Sequence, residues 1–230
     1  MERISKVITS IIHTLLGLLF NKDGRTKEKT LIVPNDIIRD TIIKFERGYA
    51  NHHLDSGGET YNGISRNNFP NWMGWKIIDE LRGSKPLNTK AKRVAFEKIL
   101  NGHQFLNKAV EGFYHEEFWN KMMLFKLDYE PLQREMFDTG INAGKSRAIK
   151  MLQEALNVMN LNEKIYPDLV IDGKIGSKTI NAFKKILKRN DTDIFMKAMN
   201  GEQYIHYKGI VNRNPTQEIF FRSWLRRVDF

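Results

Sequence analysis

Early in the chain, Ile37, Ile38, Thr41, Ile42 and Phe45 recur at helical spacing and share one largely apolar face. Pro34-Asn35-Asp36 supplies helix-start residues, and Gly48 is a natural stop. The periodicity then lapses. Residues 49–64 carry Gly57-Gly58 and Gly63 and read as a short hairpin or irregular β excursion. Gly63 is expected to let the backbone approach something closely. Residues 68–75 read as a loop with two exposed tryptophans, Trp72 and Trp75. The remainder reads mainly as helix: 91–100, stopped at Asn101-Gly102, then one long helix over 104–126. That helix carries Phe105, Val110, Phe113, Tyr114, Phe118 and Trp119, a stripe that predicts core. Glu130-Pro131 marks a boundary, because proline disfavours helix in the residue before it. Helices follow over 132–142 and 146–159, with Ala148, Met151, Leu152, Ala155 and Leu156 in register. Residues 172–176 form a turn, Ser177 caps the next helix, and two more lie near 192–208 and 216–228. The pattern predicts a mainly α protein with a small β-hairpin after the first helix. It divides the chain into an N-terminal segment and linker (1–30), a first domain (31–130) and a helical second domain (131–230), which packs as a second lobe.

The N-terminal segment has two readings. Residues 7–20 are largely apolar and follow Arg3 and Lys6, as in an export signal or weak anchor, but no small-x-small cleavage site follows. The stretch is too short and polar for a membrane span. Alternatively Ile4, Val7, Ile8, Ile11, Ile12, Leu15, Leu18 and Leu19 form the stripe of an amphipathic helix, held at a membrane, on a protein partner or on the body of the protein. Residues 21–30 are a polar, charged linker.

Charge narrows the partners. Lys plus Arg number 37 against 27 Asp plus Glu, a net charge of +10 in 230 residues. Such a chain is drawn to polyanions: nucleic acid, anionic lipid or cell wall. No zinc-finger spacing or RNA-binding signature appears, so nucleic acid is not expected as partner. There is no Cys, and His52-His53 lacks the spacing of a metal pair. No metal or cofactor is expected.

The chemistry concentrates between residues 46 and 64. Glu46 follows the apolar stripe of the first helix, Asp55 lies before Gly57-Gly58, and Thr60 follows. A helix-end acid facing a loop-borne base suits cleavage of a glycosidic bond, which needs a protonated carboxyl, an ionised one and a positioned water. The negative end of the helix dipole favours a protonated Glu46. Asp55 would activate the water and Thr60 hold it. The plain alternative makes Glu46 a solvated acid and Asp55 a turn former. Trp72 is either a sugar-stacking wall or a packing staple.

The run Glu46-x-Gly48-Tyr49, Asp55-x-Gly57-Gly58-x-Thr60-x-x-Gly63-Ile64 resembles the signature of glycoside hydrolase family 108, the N-acetylmuramidases of phage and bacterial lysozyme-like endolysins. Where the family usually has Glu-Gly-Gly-Tyr, Arg47 replaces the first glycine. The second half is similar to the family's companion peptidoglycan-binding domain. Its echoes are Phe137-Asp138-x-x-Ile141-Asn142-x-Gly144, Ala148 to Leu156, Asp172-Gly173-Lys174-Ile175-Gly176-x-x-Thr179 and Phe221-x-x-Trp224-x-x-Arg227-Val228. The resemblance covers roughly residues 33–230. It implies a lysozyme-like α+β fold and cleavage of the β-1,4 bond between N-acetylmuramic acid and N-acetylglucosamine. Glu46, Asp55 and Thr60 would be catalytic. Tyr49, Gly58, Trp72, Tyr114, Trp119 and Asn142 would bind substrate. Asp172, Gly173, Gly176 and Thr179 would contact the wall, against a purely turn-shaping role. Bacterial peptidoglycan is the implied partner. The implied location is the cell envelope or periplasm, anchored through residues 4–20, or else the virion. A lytic transglycosylase and a non-catalytic wall-binding component are the competing functions.

Overall fold

The computed structural model describes residues 34–45, 48–51, 58–84 and 86–228. Glu46, Arg47, Asp55 and residues 4–20 lie outside the described residues, and so do the expectations that fall on them.

Helix α1 (Pro34–Phe45) buries the face its pattern assigns. Ile37 and Ile38 are fully buried, and Ile42 and Thr41 nearly so. Thr41 is tolerated there because its Oγ1 donates to Ile37 O at 2.9 Å. A three-stranded antiparallel sheet follows, in the order β1 (Tyr49–Ala50), β2 (Thr60–Tyr61), β3 (Ile64–Ser65). Asn62-Gly63 joins β2 to β3 with φ of +45° and +78°. Two positive φ values in a two-residue loop match the right-handed twist of the strands. Gly63 therefore serves this turn, and Tyr61 pairs with Ile64 across it.

Helices α2 (Gly74–Arg82), α3 (Lys90–Gly102) and α4 (Gln104–Tyr114) complete the first part of the chain. Thr89 Oγ1 accepts from Lys92 N to cap α3, and His103 Nδ1 accepts from Leu106 N to cap α4. The long helix expected over 104–126 does not form. After α4 the chain passes through a π-helical turn (His115–Asn120), left-handed Met123 (φ +49°) and a 3-10 turn (Leu124–Lys126). Tyr114, Trp119, Met122 and Leu124 are all buried. A regular 3.6-residue spacing would spread these four around the helix, whereas the wider turn keeps them inside.

Helix α5 (Glu130–Ala143) starts with Pro131 in its first turn, where the missing N–H costs nothing. The proline thus marks a helix start. α5 packs against α1, the π turn, α6 (Lys145–Val158) and α8 (Thr192–Arg213), and Val33–Phe230 form one compact unit. Helix α7 (Ser177–Lys188) has Gly176 at its cap position. Ser177 is its first residue and not the expected cap. α8 runs five residues beyond the expected end at 208. A 3-10 turn (Pro215–Gln217) then leads into α9 (Glu218–Leu225). Among the described residues, the result is a mainly α fold with one small antiparallel sheet and a helical C-terminal half.

Candidate active site

Thr60 is half-buried on β2, with its backbone paired to Ala50 on one side and Ser65 on the other. Its Oγ1 donates to Gly58 O at 3.3 Å. Gly58 has φ +65°, and a Cβ there would meet the Asn67 amide at 2.8 Å, so the residue shapes this turn. Asn62 fixes the start of β1. Its N–H donates to Gly48 O at 2.9 Å, and its Oδ1 accepts from Gly48 N at 3.0 Å. Tyr114 Oη donates to Asn62 O at 2.8 Å, tying this clamp to α4. Both described ends of the 49–60 excursion are therefore fastened to rigid elements.

Beneath the sheet lies an ion cluster that sequence reasoning missed. The Glu59 carboxylate is 8% exposed and faces Arg66 Nε at 2.7 Å and Arg82 Nη1 at 2.8 Å. Tyr49 Oη donates to Glu59 Oε1 at 2.7 Å. Arg66 also makes a two-pronged contact with Asp79 at 2.7 and 3.0 Å, and Arg82 Nη2 donates to the same carboxylate. Arg66 stacks over Trp75 at 4.5 Å. The cluster locks β1 and β2 onto α2. Burial, with the Glu59 hydrogen bond second, pushes the Tyr49 phenol above its ordinary value. The hydrogen bond from Arg66 holds the Asp79 carboxyl below its usual range. A carboxyl with a folded pKa below its unfolded value near pH 4 stabilises above that pH, and the contribution fades as pH falls through the folded value. Asp79→Asn should therefore be less stable than the parent at neutral pH. The gap should close progressively as pH falls below about 4, as read by urea unfolding at each pH.

A groove of about 230 Å³ runs between α1 and α4. Arg39, Ile42 and Ile43 form the α1 wall, and Asn62, Asn101 and Asn107 supply amides. Arg39 Nε donates to Glu111 Oε1 at 3.0 Å across it. Tyr61 Oη donates to Asn101 Oδ1 at 3.2 Å, and Asn107 Nδ2 donates to Asn101 O at 3.0 Å. An aliphatic floor under oriented amides suits a sugar with hydroxyl and acetamido groups.

Residues 39–144 match the Glycosyl hydrolase 108 family, and residues 147–229 match the Predicted Peptidoglycan domain family. The chain thus carries a stretch similar to glycosyl hydrolase 108, followed by one similar to a peptidoglycan domain. Among solved structures, that of Brucella abortus SagA has a similar fold, with a TM-score of 0.52 and 23% identity over 85% of this chain and 88% of that one. No curated protein matches the chain.

The other expected site residues do not converge on the groove. Within the glycosyl hydrolase stretch, Tyr49 commits its hydroxyl to Glu59 and packs edge-on against Phe96 at 5.2 Å. Trp75 was expected to be exposed but is 3% exposed, because its Nε1 donates to Phe69 O at 2.8 Å. Trp72 is half-buried, donates to Ala109 O at 3.3 Å and lines a different groove with Met73, Phe105 and Phe113. That groove uses the face of α4 opposite Asn107 and Glu111. Tyr114 and Trp119 are 1% and 2% exposed and sit in an aromatic core with Phe118 and Phe137. In this structure they pack and offer no surface to a ligand. Asn142 Nδ2 donates to Tyr207 Oη at 2.6 Å, joining α5 to α8.

In the peptidoglycan domain the 172–176 turn is bound to the protein itself. Asp172 Oδ1 accepts from Lys174 N at 2.8 Å and Gln153 Nε2 at 2.9 Å. Gly173 (φ +72°) donates to Gln153 Oε1, and a Cβ there would lie 2.8 Å from Ser146 O. Thr179 is 3% exposed. These contacts favour the turn-shaping reading over wall contact. Among the described residues, no His/Asp/Glu cluster is arranged to hold a metal, and no helix is long and apolar enough to cross a membrane.

Proposed function

We propose that this protein is a lysozyme-type N-acetylmuramidase that hydrolyses the β-1,4 bond between N-acetylmuramic acid and N-acetylglucosamine. The observation that carries this reading is the α1–α4 groove, whose α1 wall is Arg39, Ile42 and Ile43. Glu46 follows these positions by seven, four and three residues, the spacing of one helical stripe. In this reading Glu46 protonates the leaving oxygen, Asp55 activates water from the opposite face, and Thr60 holds that water. The hairpin bearing Thr60 and the Asn62 clamp supply a rigid frame for the segments on either side. The peptidoglycan domain supports peptidoglycan as the ligand and the cell envelope as the place of action. Export or anchoring through residues 4–20, and a role in phage lysis, belong to the same proposal.

Mass spectrometry of fragments released from purified sacculi tests the reaction. Reducing N-acetylmuramic acid ends are expected. Ends carrying a 1,6-anhydro bridge would make the protein a transglycosylase, and intact sacculi would leave only a wall-binding role. Asp55→Asn is expected to slow release by at least about tenfold, because it removes the base that activates water. An undiminished rate would assign Asp55 to the turn.

A further inference from the structure

A second groove, of about 590 Å³, lies on the other flank of α1 and is lined by α1, α5, α8 and the residues after α9. Its lining carries five carboxylates, from Asp40, Glu130, Glu135, Asp138 and Asp193. Four cations face them, from Arg134, Lys197, Arg226 and Arg227. This balance sets it apart from a chain whose net charge is +10. A site for a polyanion would concentrate cations, and this one does not.

Six of these nine charged groups are held by partners within the protein. Arg134 bridges Glu130 at 2.6 Å and Asp40 at 3.2 Å, fastening α5 to α1. On the far side Arg227 Nη1 donates to Asp138 Oδ1 at 2.7 Å, with both side chains only 12% exposed. The Glu135 carboxylate is buried and accepts from Thr139 Oγ1 at 3.0 Å, and Gln203 Nε2 donates to that hydroxyl at 2.8 Å. Asp193, Lys197 and Arg226 stand exposed at the rim, with Pro131 and Met196 between the charged positions. The site thus offers preorganised groups of both signs and small apolar contacts, in a volume ordinary for a ligand pocket.

We propose that this groove binds the peptide stem of peptidoglycan, a short peptide that bears free carboxylates, an amine and small side chains. The proposal rests on peptidoglycan being the ligand. Its position relative to the sugar groove supports it. Arg39 lines one groove and the next residue, Asp40, lines the other. A stem branching from a muramyl sugar held against α1 on one flank needs only to cross that helix, whose diameter is about 10 Å. A tetrapeptide of about 13 Å extended length spans that distance.

Calorimetric titration of the full chain with stem peptide, released from sacculi by an amidase, tests this. Lys197→Gln/Arg226→Gln removes two exposed rim cations and should melt at the parent's temperature. Its affinity for the peptide is expected to fall at least about fivefold, and Asp193→Asn should weaken binding in the same direction. Lys92→Gln, which removes an exposed charge on α3, should bind as the parent does. A parent that does not bind the peptide, or a double variant that binds it equally, overturns the proposal. So does displacement of the peptide by poly(glycerol phosphate), which would give the groove to polyanions. The titration reads binding and not cleavage. A chain that binds the stem but releases no sugar ends would sink the muramidase reading and uphold this one.

Discussion

Glu46→Gln is expected to slow release of reducing ends from sacculi by about 100- to 10,000-fold, the range spanned by loss of a positioned general acid. Gln keeps the length and shape of Glu but has no proton to give the leaving oxygen. In the proposed reading, two features favour position 46 for that proton. Helix α1 ends at Phe45, and Glu46 is the next residue along the chain. The C-terminal end of a helix carries the negative end of its dipole, which in general favours a protonated carboxyl beside it. The second feature is the stripe of Arg39, Ile42 and Ile43, which already lines the groove. The effect should be chemical and not structural, so the variant's melting temperature should equal the parent's and its binding to sacculi should persist. A variant that releases ends as fast as the parent would move the acid to another residue.

The parts of this molecule that rest on local periodicity were legible in the sequence. The buried face of α1 is one of them, since Ile37, Ile38 and Ile42 repeat at the helix period and lie inside. The small sheet was legible only as a β excursion, although Asn62-Gly63 is a strong hairpin signal in its own right. The break after α4 was hidden. Aromatic residues run on through 113–119, and nothing in their order marks the point where an α-helix gives way to a π turn. The cluster around Glu59 was hidden for a different reason. Glu59, Arg66, Asp79 and Arg82 are ordinary charged residues in sequence, and only the fold brings two arginines to one buried carboxylate. The burial of Trp75 depends likewise on Phe69 O, a partner that the loop's conformation supplies. The candidate site therefore reads well as a motif and poorly as a mechanical object: its supports are long-range pairings.

Those supports carry the second large effect. Glu59→Ala should lower the unfolding free energy by about 3 kcal/mol, because it leaves two guanidinium groups facing a site built for their counter-charge. Arg66 and Arg82 keep 29% and 26% of their side-chain surface in water, so water can compensate part of the loss. For a protein of this size roughly 2–4 °C of melting temperature accompanies each kcal/mol, which places the expected drop near about 10 °C by calorimetry. Glu59→Gln should fall between parent and Ala, since an amide oxygen still accepts from Tyr49 and Arg82 but brings no charge. The consequence reaches the chemistry through geometry. Glu59 directly precedes strand β2 and anchors the sheet to α2, so its loss frees the hairpin that holds the proposed water-binding hydroxyl. Activity of Glu59→Ala, measured well below its melting point, should therefore fall mainly in kcat, and Glu59→Gln should restore part of it. A melting temperature within about 2 °C of the parent, a loss under 1 kcal/mol, would show that the cluster is screened by water and that the hairpin is held by the Asn62 clamp instead.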